Sequence, residues 1–348
     1  MVIQNKSVLH FKNIILWIIA LFLLTCQSTK NIDVRNCKTN TDVNLQINYV
    51  HSEPESFQSK FLKFAATVLG MKDGLNKAME KNKGRVEAQS PSDSLKKDFV
   101  FTQTKFKERS FWTISPKNNK SEKVILYLHG GAYINNIVKF QWDMMEEIAR
   151  KTNSKIVVPD YPLSPESTYN DVYFFIESVY NDLLTQTKSE NIVFLGDSAG
   201  GGLSLGLAQK LQKEKKAGPS QIILISPWLD VTMSDPEVQK IDPLDKVLSI
   251  KGLVWAGKVY AGKQSTQDPL ISPIYGDTKG LGKISIFIGT HDVLLSDSMR
   301  LRKNLEANKI SFNYFEYPKM FHVWPVLIGM NEADTAIDQI SNLIVCGK

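Results

Sequence analysis

The chain has 348 residues, of which 43% are apolar, 22% charged and 10% aromatic, a composition that supports a sizeable core and excludes a wholly disordered or collagen-like chain. Its three cysteines exclude a disulfide-rich scaffold and an all-cysteine structural zinc site. The net charge of +6 suggests a nucleic-acid binder, but it is unevenly placed: 20 basic and 11 acidic residues lie up to Lys123, and 22 and 25 from Val124 onward. The larger part is therefore mildly acidic, with no Arg-rich run and no interleaving of aromatic and basic residues, and no nucleic-acid partner is expected.

At the amino terminus Lys6, His10 and Lys12 precede an unbroken apolar run, Ile14 to Leu24, followed by Thr25 and Cys26. Eleven residues fall short of a comfortable membrane span and match the core of an export signal. Residues 1–25 are read as a signal peptide or signal anchor. Leu23-Leu24-Thr25-Cys26 also resembles a bacterial lipobox, with Thr25 where Gly, Ala or Ser is usual. Cys26 is then the lipidation site and the chain an exported, membrane-associated or secreted protein. Cys37 and Cys346 either pair, tying the ends of the mature chain, or stay as two free thiols.

Helical spacing of Phe57, Phe61, Phe64, Ala65, Val68, Leu69 and Leu75 predicts an amphipathic helix over 57–83. Residues 84–97 read as a linker, and Phe99–Thr102 with Phe111–Ile114 as a hairpin-like start. Five strongly apolar runs follow, beginning at Val124, Ile156, Ile192, Ile222 and Ile284. They are apolar on both faces, as strands buried on both sides must be, and helical patterns separate them. Phe312–Tyr317 adds a last strand and Ala333–Ile344 a closing helix. The fold class is α/β: an eight-stranded, mostly parallel sheet with helices on both faces and a helical cap. The division is 26–97 for the amino-terminal segment and cap helices, and 98–348 for the catalytic domain, with a cap insertion at about 243–262.

In such a sheet, reactive groups belong at the carboxyl ends of strands. Directly after Ile192–Leu195 comes Gly196-Asp197-Ser198-Ala199-Gly200, a G-x-S-x-G that passes from strand to helix and makes Ser198 the candidate nucleophile. His129-Gly130-Gly131 follows the run ending at Leu128, and its backbone N–H groups are suited to a developing oxyanion, together with that of Ala199. The candidate oxyanion hole is thus Gly130, Gly131 and Ala199, with His129 bracing the loop. A nucleophilic serine needs a base and an orienting carboxylate. His322 follows the last strand and Asp292 the one before it. Their rivals are His291, a sequence neighbour of Asp292, and Asp297, whose other reading is a first-turn helix residue.

The ordered set HGGAY at 129–133, DYPLSPE at 160–166, GDSAGGG at 196–202, SPW at 226–228, GTHDVL at 289–294 and the His322 region resembles the bacterial hormone-sensitive-lipase-like family of α/β-hydrolase esterases, from about Phe99 to the end. The resemblance implies a serine carboxylesterase acting on small-molecule carboxylic esters, often of short acyl chain, with Ser198, Asp292 and His322 as triad and Gly130, Gly131 and Ala199 as oxyanion donors. It calls for no metal or organic cofactor. Ala132 departs from the third glycine of HGGG, and Pro162 and Ser164 from the more usual Arg and Ala of DYRLAPE. Other readings are a sugar-ester deacetylase or amidase, or a non-catalytic ligand-binding protein like the plant gibberellin receptors. Phe57, Phe61, Trp255 and Trp324 are candidate pocket residues, with the core as their alternative place.

Overall fold

A computed structural model of the protein describes residues 46–347 except 81–84, 86, 92, 94, 107–108 and 119–120. Residues 1–25, read above as an export signal, and Cys26 and Cys37 lie outside the described residues. Among the described residues nine strands form one sheet in the order β1-β9-β8-β7-β6-β4-β5-β3-β2. They are β1 (Asn48–Val50), β2 (Phe99–Phe106), β3 (Arg109–Pro116), β4 (Val124–Leu128), β5 (Lys155–Pro159), β6 (Ile192–Asp197), β7 (Gln221–Ile225), β8 (Lys283–Gly289) and β9 (Phe312–Tyr317). Only the β2–β3 and β3–β5 pairings are antiparallel.

The expected strands are all present, and β1 is an addition. It pairs in parallel with β9, Asn48 against Tyr314 and Val50 against Glu316, from a segment that reads as merely polar. The boundary expected at residue 97 therefore leaves one strand on the far side from the sheet it joins.

The ten helices of the described residues are α1 (Phe57–Val68), α2 (Met71–Glu80), α3 (Leu95–Asp98), α4 (Lys139–Thr152), α5 (Tyr169–Leu184), α6 (Ala199–Lys213), α7 (Glu237–Ile241), α8 (Ile250–Ala261), α9 (Leu295–Ala307) and α10 (Asn331–Cys346). The single helix expected over 57–83 is two, because the chain turns at Leu69-Gly70, where Gly70 has a φ of +57°.

Alternate residues of the central strands feed two cores. Leu126, Leu128, Phe194, Ile222 and Leu224 face α5, α6 and α9, while Ile125, Tyr127, Val193, Leu195 and Ile223 face α4 and α10. The cap insertion supplies α8, whose Ser249 cap accepts from the Gly252 N–H and whose flank packs on α2. Ser249 Oγ meets Asn76 Oδ1 at 2.9 Å. Cys346, at the end of α10, is disulfide-bonded.

The joint between strands and helices at the reactive end is tight. A Cβ on Gly200 would lie 1.8 Å from the Leu128 carbonyl oxygen and 2.7 Å from that of His129, both backbone atoms that cannot step aside. We expect Gly200→Ala to lose about 3 kcal/mol or more of stability, or to yield no folded protein. Gly218→Ala, where no atom stands within 4 Å, changes the unfolding midpoint little. Thermal denaturation of the two variants beside the parent measures the difference.

Candidate active site

Ser198 occupies the turn from β6 into α6 with φ 52° and ψ −121°, a conformation that costs about 1–3 kcal/mol for a residue with a side chain. Hydrogen bonds on both sides hold it there. Its N–H donates to the Ile225 carbonyl at 2.9 Å, and its carbonyl accepts from Gly201, Gly202 and Trp228. A Cβ on Gly196 would meet the Gly200 carbonyl oxygen at 2.2 Å, so the bend closes only over glycines.

The loop after β4 lies against this turn. The space a Cβ would take on Gly130 is 3.0 Å from Ser198 Cβ. Gly131 has φ +129°, followed by Ala132 and Tyr133 at +54° and +64°, and its carbonyl accepts from the N–H groups of Ile134 and Asn135. His129 Nδ1 is 2.7 Å from the Gly130 carbonyl, and its ring stacks on Tyr161 at 4.3 Å. Burial drives the His129 pKa down to about 4, so the ring is neutral and braces the loop.

Of the three expected oxyanion donors, the Gly130 N–H donates to Asp197 Oδ1 at 2.9 Å. Asp197 is buried and also accepts from Tyr127 OH at 2.5 Å and Gln141 Nε2 at 3.0 Å. Burial pushes its pKa up, against those three hydrogen bonds and the nearby charge of His322. The N–H groups of Gly131 and Ala199 make no hydrogen bond among the described residues. Ala199 is the first residue of α6, where an N–H has no carbonyl one turn back.

His322 and Asp292 come together as their positions after β9 and β8 suggest. His322 Nδ1 is 3.0 Å from Asp292 Oδ2, and Asp292 Oδ1 accepts from the Leu294 N–H at 2.9 Å. The loop is pinned by the His291 N–H to the Met320 carbonyl, 3.0 Å, and by the Val323 N–H to Ser226 Oγ, 3.1 Å. Burial opposes a proton on His322, but Asp292, by charge and hydrogen bond, and then Asp245 and Asp197 outweigh it and raise its pKa above the usual histidine range. No hydrogen bond joins Ser198 Oγ to the His322 ring, as is common before a substrate is bound.

The rivals lie elsewhere. Burial pushes the His291 pKa down and its ring is half-buried. Asp297 sits in the first turn of α9, where its Oδ2 accepts from the N–H groups of Leu229 and Asp230. Burial, then the charge of Asp230, raises its pKa to about 7. Of the candidate pocket aromatics, Trp324 is fully buried against Tyr317, Phe57 is 68% exposed beside Phe61, and Trp255 is half-buried on α8. Tyr127 and Gln141 escape sequence reading because only folding brings them to Asp197.

Residues 125–326 match the family described as alpha/beta hydrolase fold. Over 210 residues the chain is 31% identical to an esterase of Acinetobacter venetianus, covering 58% of this chain and 69% of that one. An acetyl-hydrolase of Streptomyces hygroscopicus is 27% identical over 203 residues, 58% and 68% of the two chains. Among solved structures, EstE7, a hormone-sensitive-lipase homologue from a metagenome library, superposes with a TM-score of 0.70 at 25% identity, covering 82% of this chain and 97% of that one. EstE5, in crystals soaked with p-nitrophenyl butyrate, gives 0.74 at 25% identity, over 84% and 100%.

Removing the Asp197 carboxylate strands three buried donors, each worth about 1–3 kcal/mol when unpaired. Asp197→Ala is expected to cost about 3 kcal/mol or more in denaturant unfolding, and Asp197→Asn, which keeps a carbonyl oxygen for Tyr127 and Gly130, clearly less.

Proposed function

Because the chain belongs to the α/β-hydrolase fold family and is a hormone-sensitive-lipase-like carboxylic ester hydrolase, we propose that it cleaves short- to medium-chain esters through Ser198, His322 and Asp292. The observation that carries this is the 3.0 Å contact of His322 Nδ1 with Asp292 Oδ2, on loops that converge at the strand ends beside the strained Ser198. With Nδ1–H donated to Asp292, the free lone pair of the imidazole is on Nε2, the atom a general base needs.

Nε2 takes the Ser198 Oγ proton as the oxygen attacks the ester carbonyl carbon. The carbonyl oxygen becomes an anion that accepts from the N–H groups of Gly131 and Ala199, while the bound Gly130 N–H keeps their loop in place. Collapse breaks the carbon–alkoxide bond, and the alcohol leaves with the proton from His322. Water, deprotonated by His322, then cleaves the acyl-serine and releases the acid. The acyl-chain preference draws support from the relative named acetyl-hydrolase and from the butyrate ester soaked into EstE5. Export is part of the same proposal. Its support is the apolar run Ile14–Leu24, with Cys26 as the lipid-bearing residue.

Ser198→Ala should keep its fold and lose at least roughly 10³-fold in turnover of p-nitrophenyl acetate and butyrate. Undiminished turnover refutes the nucleophile. The parent should prefer both esters to the decanoate. His322 works only when neutral, so kcat/KM should fall as pH drops through its raised pKa, an acid limb lying above the usual histidine range. Cell fractionation tests the anchor: Cys26→Ser should pass from the membrane to the soluble fraction, and retention on membranes refutes lipidation.

A further inference from the structure

Behind the pair of His322 and Asp292 stands a second carboxylate, from the cap insertion. Asp245 is 1% exposed. Its Oδ1 accepts from the N–H groups of Val247 and Leu248 at 2.7 and 2.9 Å, and its Oδ2 from the Val293 N–H at 2.9 Å. The first two bonds are a local turn of the kind aspartate makes with the backbone two and three residues on. The third spans 48 positions and ends on the residue next to Asp292. Consecutive N–H groups of one loop are thus divided between two carboxylates, Val293 to Asp245 and Leu294 to Asp292.

The segment that carries Asp245 is itself held from the amino-terminal side. Lys72, on α2, pairs with Asp242 Oδ1 at 2.9 Å and donates to the carbonyl oxygens of Asp242 and Asp245. A continuous chain of polar contacts therefore runs from α2 through 242–245 to the Asp292 loop and on to His322.

We propose that Asp245 is a positioning residue for ester hydrolysis, fixing the Asp292 loop through Val293 and adding a second negative charge behind the His322 imidazolium that forms in the reaction. It rests on the reading of His322 as general base. The charged groups that act on His322 are Asp292 after β8, Asp245 from the cap insertion and Asp197 at the end of β6. Those that act on Asp245 are Asp292 and His322, and burial with the Asp292 charge pushes its own pKa up. Three carboxylates together favour the protonated ring, so removal of one moves the His322 titration toward lower pH.

The test is the pH profile of kcat/KM for p-nitrophenyl butyrate in Asp245→Asn and Asp245→Ser. Serine keeps an oxygen for the Val247 and Leu248 N–H groups and gives up the charge and the Val293 contact, so it serves where the asparagine variant does not fold. Either folded variant is expected to lose roughly 10- to 100-fold in kcat/KM on the plateau and to show its acid limb at lower pH than the parent. A purely structural role lowers the plateau and leaves the limb in place, and that result, like an unchanged profile, overturns the proposal. A parent with no acid limb overturns the general-base reading itself, and this inference with it.

Discussion

Everything at the reactive end of the sheet follows from the contact between the first turn of α6 and the loop after β4. Gly200 lies so close to the carbonyls of Leu128 and His129 that no side chain fits between them. That approach holds Ser198 in a backbone conformation that belongs to neither a strand nor a helix, with φ 52° and ψ −121°. The strain is stored locally and compensated by the four backbone hydrogen bonds of Ser198 with Ile225, Gly201, Gly202 and Trp228.

Asp197 makes the contact rigid. It is a buried carboxylate with three donors from three parts of the chain: Tyr127 of β4, Gly130 of the loop and Gln141 of α4. Each donor favours the ionised form that burial disfavours, and the positive side of this balance is shared with His322. Negative charge is therefore concentrated around the imidazole on several sides. A positive charge on this imidazole meets oriented carboxylates already in place and needs little reorganisation of its surroundings.

The central sheet was legible in the sequence because β4, β6, β7 and β8 are covered on both faces, and only near-continuous apolar runs satisfy that condition. Ser198 and Asp292 were legible as positions because each follows such a run, β6 and β8, whereas His322 follows β9, where Asn313 and Glu316 interrupt the apolar pattern. Strand β1 was not, since Asn48-Tyr49-Val50 is three residues long and owes its conformation to Tyr314–Glu316, far along the chain. The break between α1 and α2 hides inside a helical periodicity that Gly70 interrupts without disturbing. The destination of the Gly130 amide depends on a side chain 67 positions away, and no local pattern reports it.

Strand β1 has a consequence for the architecture as a whole. It closes the flank of β9, the strand that delivers His322, and Val50 on it is exposed. An uncovered β9 would present six residues of free backbone to any other extended chain, the usual seed of edge-to-edge aggregation. Three residues of the amino-terminal segment act as a seal on that side, with His51 stacked on Tyr317 immediately behind them. The stretch leading toward the cap is thus also the hem of the sheet, and a protease cutting between the two would loosen the strand that leads to His322 before it touched the helices.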